Sequence, residues 1–265
     1  MELCSLASGS SGNCIFLGTE STSVLIDSGI SGKRTEEGLR LAGHTGKDLD
    51  AILITHEHAD HIQGLGVMAR KLGIPVYLTQ GTKDALKRMS FLGEIPDGLF
   101  HVIRADEPQK IGDMTVLPFA ISHDAAEPVG FRVESGGKSA AVATDMGVYS
   151  EYTIDHLRGL DALLLEANHD VHMLEVGRYP YYLKMRILGE KGHLSNEASG
   201  RLLTEILHDG IRHIVLGHLS KENNYPALAY ETVCAEVTMG DCPYRSGDFP
   251  IHVAERDRAG DLIRF

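Results

Sequence analysis

The run Thr55-His56-Glu57-His58-Ala59-Asp60-His61 constrains this chain more than any other stretch. It follows Ala51-Ile52-Leu53-Ile54, a short apolar and partly β-branched run that reads as a buried strand, so a polar cluster stands where a strand stops. Three imidazoles and a carboxylate within six residues offer nitrogen and oxygen ligands to divalent ions such as zinc, manganese or iron. His56 and His58, two apart in a turn leaving a strand, can converge on one ion, while Asp60 and His61 project from the following turn and can face a second. A lone His-x-His would be read as a surface cluster. Here Gly64-Leu65-Gly66 opens a helix directly behind the motif, and the whole pattern points to functional metal binding.

The chain has 265 residues, 43% of them hydrophobic, which supplies a substantial core. Neither a linker rich in glycine, proline or serine nor a short-period repeat divides it, and one domain over 1–265 is expected. There is no basic segment followed by an apolar run at the N-terminus and no membrane-length apolar stretch, so the expectation is a soluble, cytoplasmic protein. Cys4, Cys14, Cys234 and Cys242 form no Cys-x-x-Cys pair and are expected to be reduced. A net charge of -12 argues against a protein that coats nucleic acid through a general basic field. It leaves room for a polyanionic substrate, because bound divalent cations make a cleft locally positive.

In chain order, strands are expected at 3–7, 14–18 and 23–27, a helix at 33–42, the strand before the motif, and helices at 65–72 and 83–89 with a strand between them. The joint Ser8-Gly9-Ser10-Ser11-Gly12-Asn13 reads as a hairpin connection whose backbone amides could approach a ligand. From 100 to 144 short strands separated by glycine-bearing turns suggest antiparallel hairpins. Further strands at 161–166 and 211–216 and helices at 195–208, capped by Ser195, and 225–238 complete the pattern. Residues 171–192 contain Tyr179-Pro180-Tyr181-Tyr182 with Arg178, Lys184, Arg186 and Lys191 around it. This segment is either a substrate surface suited to nucleobases and phosphates or an ordinary helix-packing loop.

His123, Asp145 and His218 share one property with the first motif: each directly follows or closes an apolar strand-like run. With them the chain resembles the metallo-β-lactamase-fold hydrolases, an α/β fold built as an αββα sandwich of two mixed β-sheets flanked by helices. The resemblance implies two divalent ions, manganese or zinc with iron as a further choice. His56, His58 and His123 would hold one, Asp60, His61 and His218 the other, and Asp145 would bridge them. It also implies that a water or hydroxide held between the ions is the nucleophile, with Asp60 holding its proton.

Details narrow the resemblance. Secreted two-zinc β-lactamases usually carry Arg or Cys where this chain has His61, and glyoxalase-type hydrolases add a helical region for which the 47 residues after His218 are too few. The nuclease and phosphodiesterase branch that includes ribonuclease Z carries Glu-Ala-Thr and Lys-x-His-[Ser/Thr] elements that cooperate in proton transfer. This chain has Glu166-Ala167-Asn168 and Lys191-Gly192-His193-Leu194-Ser195 in the same order, which implies His193 as general acid and Glu166 as the group orienting it. Asn168 departs from that pattern.

Over nearly its full length the chain looks like the WalJ/YycJ/VicX group of bacterial metal-dependent hydrolases. The marks are residues 6–13, the motif at 55–61, Glu166-Ala167-Asn168-His169-Asp170, Gly192-His193-Leu194-Ser195-Asn196 and Leu216-Gly217-His218-Leu219-Ser220. The resemblance implies a 5′ to 3′ DNA exonuclease acting on DNA ends. A hydrolase of a small or cyclic phosphodiester, or a metal-binding regulator of a cell-wall two-component system, stands beside it as the alternative. His169 and His172 carry no assigned role; His169 reads equally as a residue steadying a metal ligand or as a buried hydrogen-bonded histidine.

Overall fold

Apolar runs without polar alternation are explained by strands covered on both faces. The computed structural model, which describes residues 1–265, builds two seven-stranded sheets from them. The first contains β1 (Glu2–Ala7), β2 (Cys14–Gly18), β3 (Ser23–Ile26), β4 (Ala51–Leu53), β5 (Val76–Thr79) and β6 (Phe100–Ile103). The second contains β7 (Gln109–Ile111), β8 (Met114–Ala120), β9 (Val129–Ser135), β10 (Lys138–Ala143), β11 (Ala162–Glu166), β12 (His213–Gly217) and β13 (Ile251–Val253). A last short strand, β14 (Ile263–Arg264), returns to pair antiparallel with β1 at the edge of the first sheet.

Both sheets are mixed. β3, β4, β5 and β6 run parallel, as do β10, β11, β12 and β13, and the remaining pairs are antiparallel. Alternate residues sort to opposite layers. Val24 and Ile26 join Leu164 and Val215 in the core between the sheets, while Leu25 faces the outer layer on its own side. Nine helices cover the outsides and the connections: α1 (Gly32–Leu41), α2 (Ala59–Ile62), α3 (Leu65–Leu72), α4 (Gln80–Leu86), α5 (Glu151–Leu157), α6 (Val171–Val176), α7 (Tyr181–Leu188), α8 (Asn196–Ile206) and α9 (Pro226–Met239). Leu39 and Met68 of α1 and α3 close the first outer core, and Leu202, Leu203 and Val233 of α8 and α9 close the second. This is the expected αββα sandwich. No helix is long and apolar enough to cross a membrane.

Two local expectations change. The helix expected at 83–89 begins at Gln80, because the Thr79 hydroxyl caps it by accepting from the Thr82 amide. Phe100–Ile103 is not part of the antiparallel hairpins: α4 makes a crossover after β5, and β6 returns parallel beside it. Finally, the segment 171–192, open between a substrate surface and a helix-packing loop, carries two short helices, α6 and α7.

The parallel strands decide where the chemistry sits. Asp27 follows β3, His56 leaves β4, Asp145 follows β10, Glu166 ends β11 and His218 follows β12, so carboxyl ends from both sheets meet on one rim.

Candidate active site

Three of these strand ends leave their strands through a left-handed backbone. Asp27, Asp145 and His218 have φ of 63°, 61° and 55°, a conformation that costs a residue with a Cβ of order 1–3 kcal/mol and persists where the surroundings impose it. All three side chains point at the same cluster. The motif loop is braced from the first hairpin: the Asn13 amide donates to the Asp60 carbonyl at 2.7 Å. Gly29 passes so close that a Cβ there would lie 1.7 Å from the same carbonyl. Thus the Ser8–Asn13 joint is a hairpin connection, as expected, and it also supports the site, with the Ser8 hydroxyl accepting from the His218 amide at 2.8 Å.

Every residue expected in the centre is brought to it. His56, His58 and His123 form one triad, with ring centroids 4.7 to 4.9 Å apart and His58 Nδ1 facing His123 Nε2 at 3.2 Å. Asp60, His61 and His218 form the other, with Asp60 Oδ2 at 3.6 Å from His61 Nε2 and 3.4 Å from His218 Nε2. Asp145 lies between them: Oδ2 is 3.1 Å from His61 Nε2 and Oδ1 is 3.7 Å from His123 Nε2. His193 Nδ1 meets Glu166 Oε1 at 2.9 Å and Asp145 Oδ1 at 3.3 Å.

The far side of four of these imidazoles is already engaged. His61 Nδ1 faces Asp27 Oδ2 at 2.7 Å, His56 Nδ1 faces the Thr55 hydroxyl at 3.0 Å, His123 Nδ1 faces the Gly192 carbonyl at 3.1 Å and His218 Nδ1 faces Glu166 Oε1 at 2.9 Å. Such contacts fix ring orientation and leave the opposite nitrogen for a ligand. Asp27, Thr55 and Asn13 were not among the residues expected here. The one sequence signal was that Asp27, like Asp145, closes an apolar strand-like run, with Ser28-Gly29 directly after it. Glu166 does more than expected, since one oxygen serves both His193 and His218. His169 is buried, 3.4 Å from Asn168 Oδ1 through Nδ1, and its Nε2 has no partner; His172 is exposed on α6.

A family profile described as "Beta-lactamase superfamily domain" matches residues 22–219. "Exodeoxyribonuclease WalJ" of Streptococcus pneumoniae is 39% identical over 257 residues, covering 97% of this chain and 95% of the relative. The chain belongs to the WalJ/YycJ family of the β-lactamase superfamily. "Exodeoxyribonuclease YycJ" of Bacillus anthracis is 40% identical over 228 residues, 86% of each chain. Among solved structures, Zn(2+)-bound PqqB from Methylobacterium extorquens superimposes with a TM-score of 0.72 at 17% identity, over 98% of this chain and 100% of that one, which is a likeness of fold.

The WalJ/YycJ-family centre has the character of a divalent-metal site. His56 Nε2 and Asp145 Oδ2 are buried without a hydrogen-bond partner, although other polar atoms stand close by. Lone pairs that converge without a well-directed proton between them fit a shared cation. The charge pattern agrees. Burial, reinforced by His61 and the other nearby imidazoles, holds His56 well below its ordinary range, and burial likewise lowers His123, so these two residues offer neutral nitrogens.

In the second triad burial opposes charge and loses. Asp145, Asp27 and Asp60 hold His61 well above its ordinary range, and Asp145, Asp60 and Glu166 push His218 up to about 10. Burial also tends to raise the Asp145 and Glu166 carboxyls. Even so, His218 and His61 keep Asp145 well below the usual range, and His193 and His218 bring Glu166 to about 2. Protons therefore occupy, in the metal-free chain, the place a cation would take. A cation arriving there must displace them. Calorimetric titration of zinc or manganese into metal-free protein, repeated in buffers of different ionisation enthalpy, is expected to show net proton release. Apparent affinity should climb with pH below about 10, by about tenfold per unit for each proton displaced. Affinity that ignores pH would mean that His61 and His218 are already neutral before the cation arrives.

Proposed function

We propose that this protein is a phosphodiesterase of DNA ends, a 5′ to 3′ exonuclease, working with two divalent ions, manganese or zinc. One ion is assigned to His56, His58 and His123, the other to Asp60, His61 and His218, with Asp145 shared. When bound, such ions lower the pKa of a water and neutralise charge building on the phosphoryl oxygens. The chain's own residues do the rest. Asp60, on the outer side of its triad with a quarter of its side chain exposed, is placed to accept the proton of the attacking water. His193 shares the cleft with His58, Asp60, Asp145 and His218, and its Nδ1 is held by Glu166. That leaves Nε2 to carry a proton to the oxygen that departs from phosphorus.

The observation that carries this reading is the Glu166–His193 pair beside Asp145. A chain that only bound metal for regulation would not need a tethered proton donor at the rim of the cleft. The substrate class rests on the two relatives named exodeoxyribonucleases, and this reading has the protein working in the cytoplasm. Purified protein loaded with manganese or zinc should shorten 5′-labelled and 3′-labelled DNA strands with opposite label-release kinetics. Turnover of a chromogenic phosphodiester alone, with DNA untouched, would favour the small-ester reading instead.

A further inference from the structure

Among the acids, imidazoles and neutral side chains that line the cleft there is a single permanent cation, Arg186 of α7. A chain of net charge -12 offers a polyanion little general attraction, so a cation at this position carries unusual weight. Lys184 on the same helix is already committed to the Glu175 carbonyl at 2.7 Å. Arg186 is held differently. Its Nε and Nη2 both reach the Asp124 carboxylate, the latter at 3.1 Å, which fixes the plane of the guanidinium. Two of five N–H groups are used in this way, and the other three stay available.

Asp124 in turn fixes the distance to the centre. Its Oδ1 lies 3.5 Å from His123 Nε2 and 4.0 Å from His58 Nε2, so one carboxylate stands between the guanidinium and the first triad. A guanidinium anchored there is set back from the triad by the width of that carboxylate. It can reach the next phosphate along the strand.

We propose, on the footing of the nuclease reading above, that Arg186, oriented by Asp124, grips the phosphate adjacent to the one being cleaved, making it a specificity-determining residue for substrates with more than one phosphate. Arg186→Ala should keep its metal content and raise KM for a labelled single-stranded oligonucleotide by about 10- to 100-fold, the loss of one charge-assisted contact. The salt dependence of binding to a phosphorothioate oligonucleotide, read by fluorescence anisotropy, should flatten by about one contact's worth. Added guanidinium should restore part of the loss. Arg186→Lys, which keeps the charge without the fork, should lie between the two.

If Arg186 were only a latch between α7 and the loop carrying Asp124, the variant would lose turnover in equal proportion on the oligonucleotide and on a one-phosphate ester, and guanidinium would not help. Either that result or an unchanged oligonucleotide KM overturns the proposal while the wild-type protein still digests DNA. A wild-type protein that leaves DNA intact overturns the nuclease reading and this clamp together.

Discussion

Asp145→Ala is expected to reduce turnover to the assay background and to leave the purified protein without its metal. The side chain is 2% exposed and is the one carboxylate within reach of both triads, so no neighbour can replace it. Its loss has a second consequence in the metal-free chain. Asp145 is the leading partner that raises His61 and His218 against the effect of burial. Without it, His61 and His218 lose the largest of the charges that favour their protonated forms, and Asp27, Asp60 and Glu166 remain as weaker partners. Since Ala also fits poorly at φ 61°, unfolding could mimic loss of metal.

Asp145→Asn separates the two effects. Asn tolerates the left-handed backbone and keeps the shape, yet carries no charge. The Asn variant should fold with a far-ultraviolet spectrum like that of wild type, contain little metal by elemental analysis and remain inactive. A folded Asn variant with full metal and activity would remove Asp145 from the centre.

The parts of this site that could be read from the sequence are those that chemistry marks locally. Thr55 to His61 concentrates ligands after an apolar run, and His123, Asp145 and His218 repeat the same strand-end position. What could not be read is long-range. Thr55 and Asp27 bond across 28 residues, and His61 and Asp27 across 34, a pairing that exists only because β3 and β4 lie side by side and parallel. The double use of Glu166 has the same origin, since β11 ends between β10 and β12 and presents one oxygen to imidazoles from different segments. Left-handed backbone at Asp27, Asp145 and His218 leaves no compositional trace, because glycine is the residue that advertises it. The fold class came through from the resemblance carried by the ligand motifs, while the alternation of strand and helix patterns suggested only sheets with helices outside them. The placement of β6 did not, because a short helix such as α4 decides between hairpin and crossover.

His193→Ala should behave in the opposite way to Asp145→Ala: metal retained, turnover lowered by about 10²- to 10⁴-fold, the range for removing a general acid. His193 approaches Asp145 at 3.3 Å and Glu166 at 2.9 Å, and with His218 these could be mistaken for a metal-binding set of their own. Elemental analysis decides this, because a ligand variant loses metal and a proton-donor variant keeps it.

Leaving-group chemistry gives the sharper test. The oxygen that departs from DNA needs a proton, whereas p-nitrophenolate departs readily without one, so the variant should lose far more on DNA than on a p-nitrophenyl phosphodiester. Glu166→Gln should differ from both, weakening metal retention as well as turnover, because the same oxygen that holds His193 also orients His218. Equal losses on the two substrates in His193→Ala would mean that this imidazole shapes the cleft and that the departing oxygen takes its proton from solvent.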